Sequence, residues 1–217
     1  MKIHPGKLTL LFTLLLTALA AAADHAPPSI PPDVALARLK AGNHRFVSTS
    51  ISGGKPTAAR RAETAEGQHP FAIIVGCADS RTSPEIVFDQ NIGDPLRHPH
   101  RGQSRRRLCP RQHRICGGHL GARLIVVLGH QKCGAVQAAL AGGAAPGHVH
   151  ALVKAIQPAV RASKGLPGDP LVNAIQENDL LVAKKIHEKA RLGDLASQVR
   201  VVEGYYDLHS GKVQWAQ

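Results

Sequence analysis

Three side chains able to hold a soft divalent metal stand at two points of this 217-residue chain. Cys77 follows the apolar run from Phe71 to Gly76; His130 follows a second run, Leu124 to Gly129, and Cys133 comes three residues later. Two thiolates and an imidazole supply three of the four ligands of a tetrahedral zinc, and a fourth position left open distinguishes a catalytic site from a closed structural one. Water held at such a position has its pKa lowered to about 7, which makes hydroxide available at neutral pH. Taken singly, each residue is more simply a buried thiol or a satisfied loop histidine. The four cysteines, Cys77, Cys109, Cys116 and Cys133, are also an even number that could form two disulfides in an oxidising compartment.

The elements around these residues decide whether they can meet. Both apolar runs lack polar alternation, so they read as parallel strands buried on both faces. Asp33 is placed to cap a helix over Val34 to Val47, and Ser48 to Gln68 reads as a connection with one short helical turn. Further helices are expected over Cys133 to Ala141, Ala151 to Ser163 and Pro170 to Leu192. Val199 to Leu208 and Lys212 to Trp215 read as strands, separated by the His209-Ser210-Gly211 turn. Strands alternating with helices predict an α/β fold with a mainly parallel central sheet flanked by helices. Ligands of such sheets gather at the carboxyl ends of the strands. Cys77 and His130 should therefore emerge at one edge.

The amino terminus carries Lys2 and Lys7, an apolar stretch from Leu8 to Leu19 and small residues from Ala20 to Ala23. That is the pattern of a cleaved signal peptide over residues 1–23. The stretch is shorter than the roughly 20 residues of a membrane span. A proline-bearing linker, 24–32, follows, and a single domain is expected over 33–217. The mature chain is expected to have no membrane span and to be periplasmic or secreted.

Cys77 sits in Cys77-Ala78-Asp79-Ser80-Arg81, and the other two candidate ligands sit in Gly129-His130-Gln131-Lys132-Cys133-Gly134-Ala135. These two motifs, in this order, resemble those of the β-class carbonic anhydrases. Gly67-Gln68-His69-Pro70, the run from Pro84 to Asp89, Gly121-Ala122-Arg123-Leu124, the Gly204 to Leu208 run and Ser210-Gly211-Lys212-Val213 match as well. The resemblance implies one Zn2+ per chain on Cys77, His130 and Cys133, and reversible hydration of carbon dioxide to bicarbonate and a proton by zinc-bound hydroxide. It implies that Arg81 orients the Asp79 carboxylate and that Asp79 accepts a hydrogen bond from the zinc-bound water. In a closed form Asp79 would itself become the fourth ligand. Gln68 matches the position that hydrogen-bonds bicarbonate. A homodimer or tetramer is implied, because the family builds its site at a subunit interface. None of the 13 histidines is singled out as a proton shuttle.

The resemblance breaks between Asp94 and Leu120. From Pro95 to Gly118 there are seven arginines and no acid, and without that stretch the formal net charge falls from +12 to +5. Basicity confined to one segment, with aromatics at 3% and none interleaved there, gives no reason to expect a nucleic-acid partner. Reading across the codons of Pro95 to Gln103, from the last two bases of one to the first of the next, the genetic code permits Leu-Phe-Val-Ile-Arg-Thr-Ala-Gly-Asn. From Cys109 the same reading permits Ala-Leu-Gly-Ser-Ile-Glu-Tyr-Ala-Val. Both resemble the family's strand, turn and helix, so a compensating pair of frameshifts accounts for the anomalous segment 95–118. As it stands, the segment is expected to loop out and leave the sheet short. The alternative function is then a catalytically impaired zinc-binding relative of the same fold.

Overall fold

The computed structural model describes residues 29–54, 56–99, 121–142, 149–189 and 197–216. Along the chain these form α1 (Pro32–Val47), α2 (Ala58–Glu66), β1 (Ala72–Gly76), α3 (Pro84–Val87), β2 (Pro95–Pro99) and β3 (Leu124–His130). Then come α4 (Gly134–Ala141), α5 (Val149–Ala162), α6 (Pro170–Lys189), β4 (Arg200–Tyr206) and β5 (Val213–Trp215). The strands make one sheet in the order β2-β1-β3-β4-β5, parallel except for β5, which runs antiparallel to β4. The expected signal peptide, the linker up to residue 28, Cys109, Cys116 and the anomalous segment from residue 100 onward lie outside the described residues.

The unbroken apolar runs have a direct cause. Ala72 and Ile74 of β1, with Leu124, Val126 and Leu128 of β3, pack on one face beside Leu36 and Leu39 of α1 and Phe88. Ile73 and Val75, with Ile125 and Val127, pack on the other beside Val182, Ala183 and Ile186 of α6. A strand covered on both faces has no position where a polar residue is favoured. A third cluster joins α4, α5 and α6 through Val136, Ile156, Ile175 and Tyr205. Among the described residues, no helix is long and apolar enough to cross a membrane.

Three local expectations need correction. The first concerns residues 95–99, which do not loop out but form β2 at the edge of the sheet, in register with β1 from Ala72 opposite Pro95 to Gly76 opposite Pro99. Phe71 N–H donates to Asp94 O (2.9 Å), so residues 94, 96 and 98 turn their backbone toward β1. Pro95 and Pro99 fall on the alternate positions, where a missing N–H faces away from the ladder, and an edge strand tolerates proline there. Arg97 stays exposed.

Asp33 is the second. The helix begins two residues earlier, with Pro31 at the cap and Pro32 in the first turn. Proline is pre-organised for that place and has no N–H to satisfy. Asp33 lies inside the first turn and pairs with Arg200.

The third is the 48–68 connection, which contains the nine-residue α2 rather than a single turn. It buries no residue, so no apolar stripe announces it. Thr57 caps it by accepting from Arg60 N–H (3.1 Å), and Arg60 anchors it to Ile92 O and Asp94, both at 2.9 Å.

Two polar anchors lock α1 to the rest. Buried Asn43 donates to Val87 O (3.1 Å) and Gly211 O (2.8 Å) and accepts from Val213 N–H (2.9 Å). Asp89, its side chain 1% exposed, is held by Arg45 Nε at 2.6 Å and by the N–H groups of Ser52 and Gly53. Burial pushes the Asp89 carboxyl up, but Arg45 and those two N–H groups outweigh it and hold it below the usual carboxylate range. Removing one partner of a fully buried pair costs about 3–5 kcal/mol; with Arg45 32% exposed and two N–H groups still on Asp89, Arg45→Ala is expected to destabilise the fold at pH 7 by less than that. A carboxyl held low in the folded state stabilises above its ordinary pKa and loses that contribution as the pH falls. Urea unfolding of the wild type and Arg45→Ala at pH 7 and pH 3 should therefore show the gap narrowing at the lower pH.

Candidate metal centre

Register alone brings the three donors to one edge. Gly76, the last residue of β1, lies opposite Leu128, so the chain leaving β1 at Cys77 emerges beside the end of β3. His130 is the last residue of β3, one step earlier than the sequence suggested. Gln131 fixes the turn that follows: its N–H donates to Tyr206 O (2.8 Å) and its side-chain oxygen accepts from Leu208 N–H (3.2 Å). Lys132 then adopts a left-handed φ of 55°. A non-glycine residue in that region costs on the order of 1–3 kcal/mol, and here it folds the chain back so that Cys133 caps α4 beside His130.

Among the described residues, one group of donors could hold a metal: the Sγ atoms of Cys77 and Cys133 and a ring nitrogen of His130, all within 4.8 Å of one another. Tetrahedral zinc spaces such donors about 3.5–3.8 Å apart, so small side-chain adjustments close the set. The His130 ring is 1% exposed. Its Nδ1 lies 2.9 Å from Gln131 O, which can only accept, so Nδ1 carries the proton. Nε2 is then a bare lone pair, and it is the one buried side-chain nitrogen or oxygen among the described residues with no hydrogen-bond partner. A metal ion satisfies it, with the Nδ1–carbonyl bond fixing ring and tautomer as an outer partner does for a metal-bound histidine. Both thiols are free, so neither of these two cysteines is in a disulfide.

The thiols differ in acidity. The Cys133 thiol, and then the His130 ring beside it, pull Cys77 down to about 4. Cys133 is pushed up by that same contact with Cys77 and by burial. Burial disfavours a charged His130, but Cys77 beside it raises the imidazole on balance. One thiolate and one thiol thus share the site, and taking up a metal as two thiolates releases a proton.

Asp79 and Arg81 stand at the mouth of the site. Arg81 grips Asp79 through Nε to Oδ1 (2.8 Å), Nη2 to Oδ2 (2.7 Å) and its own backbone N–H to Oδ1 (3.0 Å). These bonds hold the Asp79 carboxyl far below the usual carboxylate range. Asp79 Oδ2 lies 4.0 Å from the bare His130 Nε2. The structure therefore brings together Cys77, His130, Cys133, Asp79 and Arg81. Gln68 is exposed on the segment leading into the amino end of β1, whereas Cys77 leaves its carboxyl end.

Behind the donors lies a cavity of about 50 Å³ walled by Val75, Leu128, Val136, Ile156 and Asp179. Sequence reasoning missed Asp179. The signal was available, since it occupies the stripe of α6 that runs from Ile175 to Val182 and Ile186, all buried. Arg97, also missed, donates from Nη2 to Cys77 O at 3.2 Å.

A family model described as carbonic anhydrase matches residues 72–213, from the start of β1 to the start of β5. This chain belongs to the carbonic anhydrase family. Carbonic anhydrase 2 of Mycobacterium tuberculosis is 40% identical over 137 residues, covering 61% of this chain and 66% of that protein. The chain thus spans slightly under two thirds of that relative's length. A carbonic anhydrase of Mycolicibacterium smegmatis is 31% identical over 204 residues, 86% of this chain and 94% of that protein. In fold, the chain is similar to a tetrameric β-carbonic anhydrase of the ascomycete Sordaria macrospora, with a TM-score of 0.63 at 19% identity over 71% of this chain and 84% of that one. β-Carbonic anhydrases use zinc, and in this chain Cys77, His130 and Cys133 are the residues that fit it.

Proposed function

We propose that the chain catalyses the reversible hydration of carbon dioxide to bicarbonate and a proton, with one zinc per chain on Cys77, His130 and Cys133. The observation that carries this reading is the buried, unpartnered His130 Nε2 converging with two thiols at the carboxyl edge of a parallel sheet. Zinc bound there would supply a water acidic enough to furnish hydroxide near neutral pH. Asp79 Oδ2 accepts a hydrogen bond from the attacking water and so directs its lone pair. Arg81 keeps that carboxylate ionised and aimed. Its two-pronged grip also keeps Asp79 off the metal point, which favours the open arrangement; the closed form, with Asp79 as fourth ligand, requires the grip to break.

Gln68 lies toward the opposite end of β1 from Cys77. A role for it in holding bicarbonate is therefore one it plays in the site of a second protomer, in keeping with a homodimer or tetramer. Export to the periplasm or beyond, through removal of residues 1–23, belongs to the same proposal.

A second reading, an impaired zinc-binding relative, is favoured by the arginine-rich segment 95–118. One experiment separates the two. The mature chain is purified, its zinc counted by atomic emission, and hydration followed by stopped flow before and after chelation. One zinc per chain with turnover lost on chelation supports the enzyme. Zinc without turnover supports the impaired relative, and no zinc overturns both.

A further inference from the structure

The wall of the metal cavity holds an acid that the proposed chemistry does not use. Asp179 is 6% exposed on α6, between Ile175 one turn before and Val182 and Ala183 one turn after, all three buried. Its carboxyl lies against Gly129, the residue before His130. A Cβ at Gly129 would come within 1.9 Å of Asp179 Oδ2 and 2.8 Å of Ile175 Cγ2. The helix therefore touches the backbone of β3 itself at this point, and the carboxyl fills the space that a side chain would take.

That contact falls where β3 is least supported. β1 pairs with β3 only as far as Leu128, so Gly129 and His130 run past its end and keep β4 alone as a ladder partner. What stands against the α6 face of Gly129 sets how deep the strand end sits, and so where the His130 ring begins. Apolar residues fill the rest of this stripe, and an acid there is expensive to bury. Burial, and then the charge of Glu203, push the carboxyl well above its usual range.

We propose that Asp179 is a positioning residue for the metal centre, wedged against Gly129 so that the end of β3 presents His130 to the two thiols. The inference rests on the reading of Cys77, His130 and Cys133 as a zinc site.

The test uses the whole mature chain, loaded with zinc or with cobalt as a spectroscopic stand-in. Wild type is compared with Asp179→Asn, Asp179→Ala, Gly129→Ala and the double variant Gly129→Ala/Asp179→Ala. Loss of an outer partner weakens metal binding about 10–100-fold, and Asp179→Ala and Gly129→Ala are each expected to fall in that range by competition with a chelator. Their cobalt absorption bands should shift. Asp179→Asn keeps the shape of the wedge and should retain the wild-type affinity and spectrum. In the double variant the added methyl enters the space the carboxyl vacates and leaves only Ile175 Cγ2 to give way, so affinity should recover part of what either single change loses.

Wild-type affinity and spectrum in Asp179→Ala would overturn the proposal, as would a double variant that simply sums the single losses. Where Asp179→Ala does not fold, Asp179→Ser takes its place under the same criteria. A wild-type chain that takes up neither metal overturns the zinc reading, and this inference falls with it.

Discussion

His130→Ala is expected to leave a chain that retains no zinc through purification and hydrates carbon dioxide no faster than a chelated control. With the imidazole gone, two sulfurs remain, and of the free pair only Cys77 is readily ionised. Two ligands do not hold a catalytic zinc, for which three protein ligands and one open position are the rule. The loss should exceed the roughly 10–100-fold that follows removal of an outer partner. Stability should move differently. Burying an unsatisfied polar atom costs about 1–3 kcal/mol, and Nε2 bears that cost in the metal-free protein. Removing the ring therefore offsets part of the packing lost with it. In urea, metal-free His130→Ala should unfold close to metal-free wild type, whereas the zinc-loaded wild type should unfold well above both.

Asp79→Asn is expected to keep the zinc and lose the rate. A positioned acid–base group contributes typically about 10²–10⁴-fold, and kcat/KM should fall within that range while zinc stoichiometry holds at one. The amide keeps the volume, but with its oxygen turned to Arg81 it would present a donor on the metal side, where Oδ2 now offers an acceptor to a water. Arg81→Ala probes the same carboxylate through pH. Arg81 holds Asp79 low, so the ionised form persists into acid in the wild type. Without the guanidinium, the Asp79 carboxyl returns toward about 3.9, the ordinary value for aspartate. The acidic limb of the rate profile, where Asp79 controls it, should move up. The stability contribution has the same sign: present above the ordinary carboxylate range and lost as the pH falls. Stopped-flow pH profiles of the wild type and Arg81→Ala read this directly.

The strands carrying the metal donors were legible because burial on both faces leaves an unbroken apolar run, as at Ile73 to Val75 and Leu124 to Leu128. The donors themselves were legible because thiols and an imidazole at strand ends have few other uses in combination. Other features leave weaker traces. An edge strand needs only one neighbour, so β2 accommodates two prolines and an arginine in an order that shows no strand pattern. The exposed helix α2 is held by a threonine cap and Arg60 rather than by an apolar stripe. Asp179 belongs to no motif, and only its place among Ile175, Val182 and Ile186 marks it. Lys132 gives no sign in the sequence of its left-handed backbone, because the constraint comes from the turn between His130 and Cys133.

The three bonds of Asn43 also impose an order on folding. Two of them span 168 and 170 residues, from the first described helix to the last strand and the turn just before it. Contacts this distant in sequence form late, since the whole intervening loop must be closed before they return any stabilisation. As a ribosome releases the chain, α1 and β1 emerge early, yet the amide of Asn43 has no complete set of partners until Val213 is free. A chain cut at residue 209 would retain all three metal donors together with Asp79 and Arg81, but it would bury a side chain that has lost two of its bonds. Such a fragment should be an easy target for proteases, and the segment from Gly211 to Val213 works as a latch that closes on α1 only after the strands between them are in place.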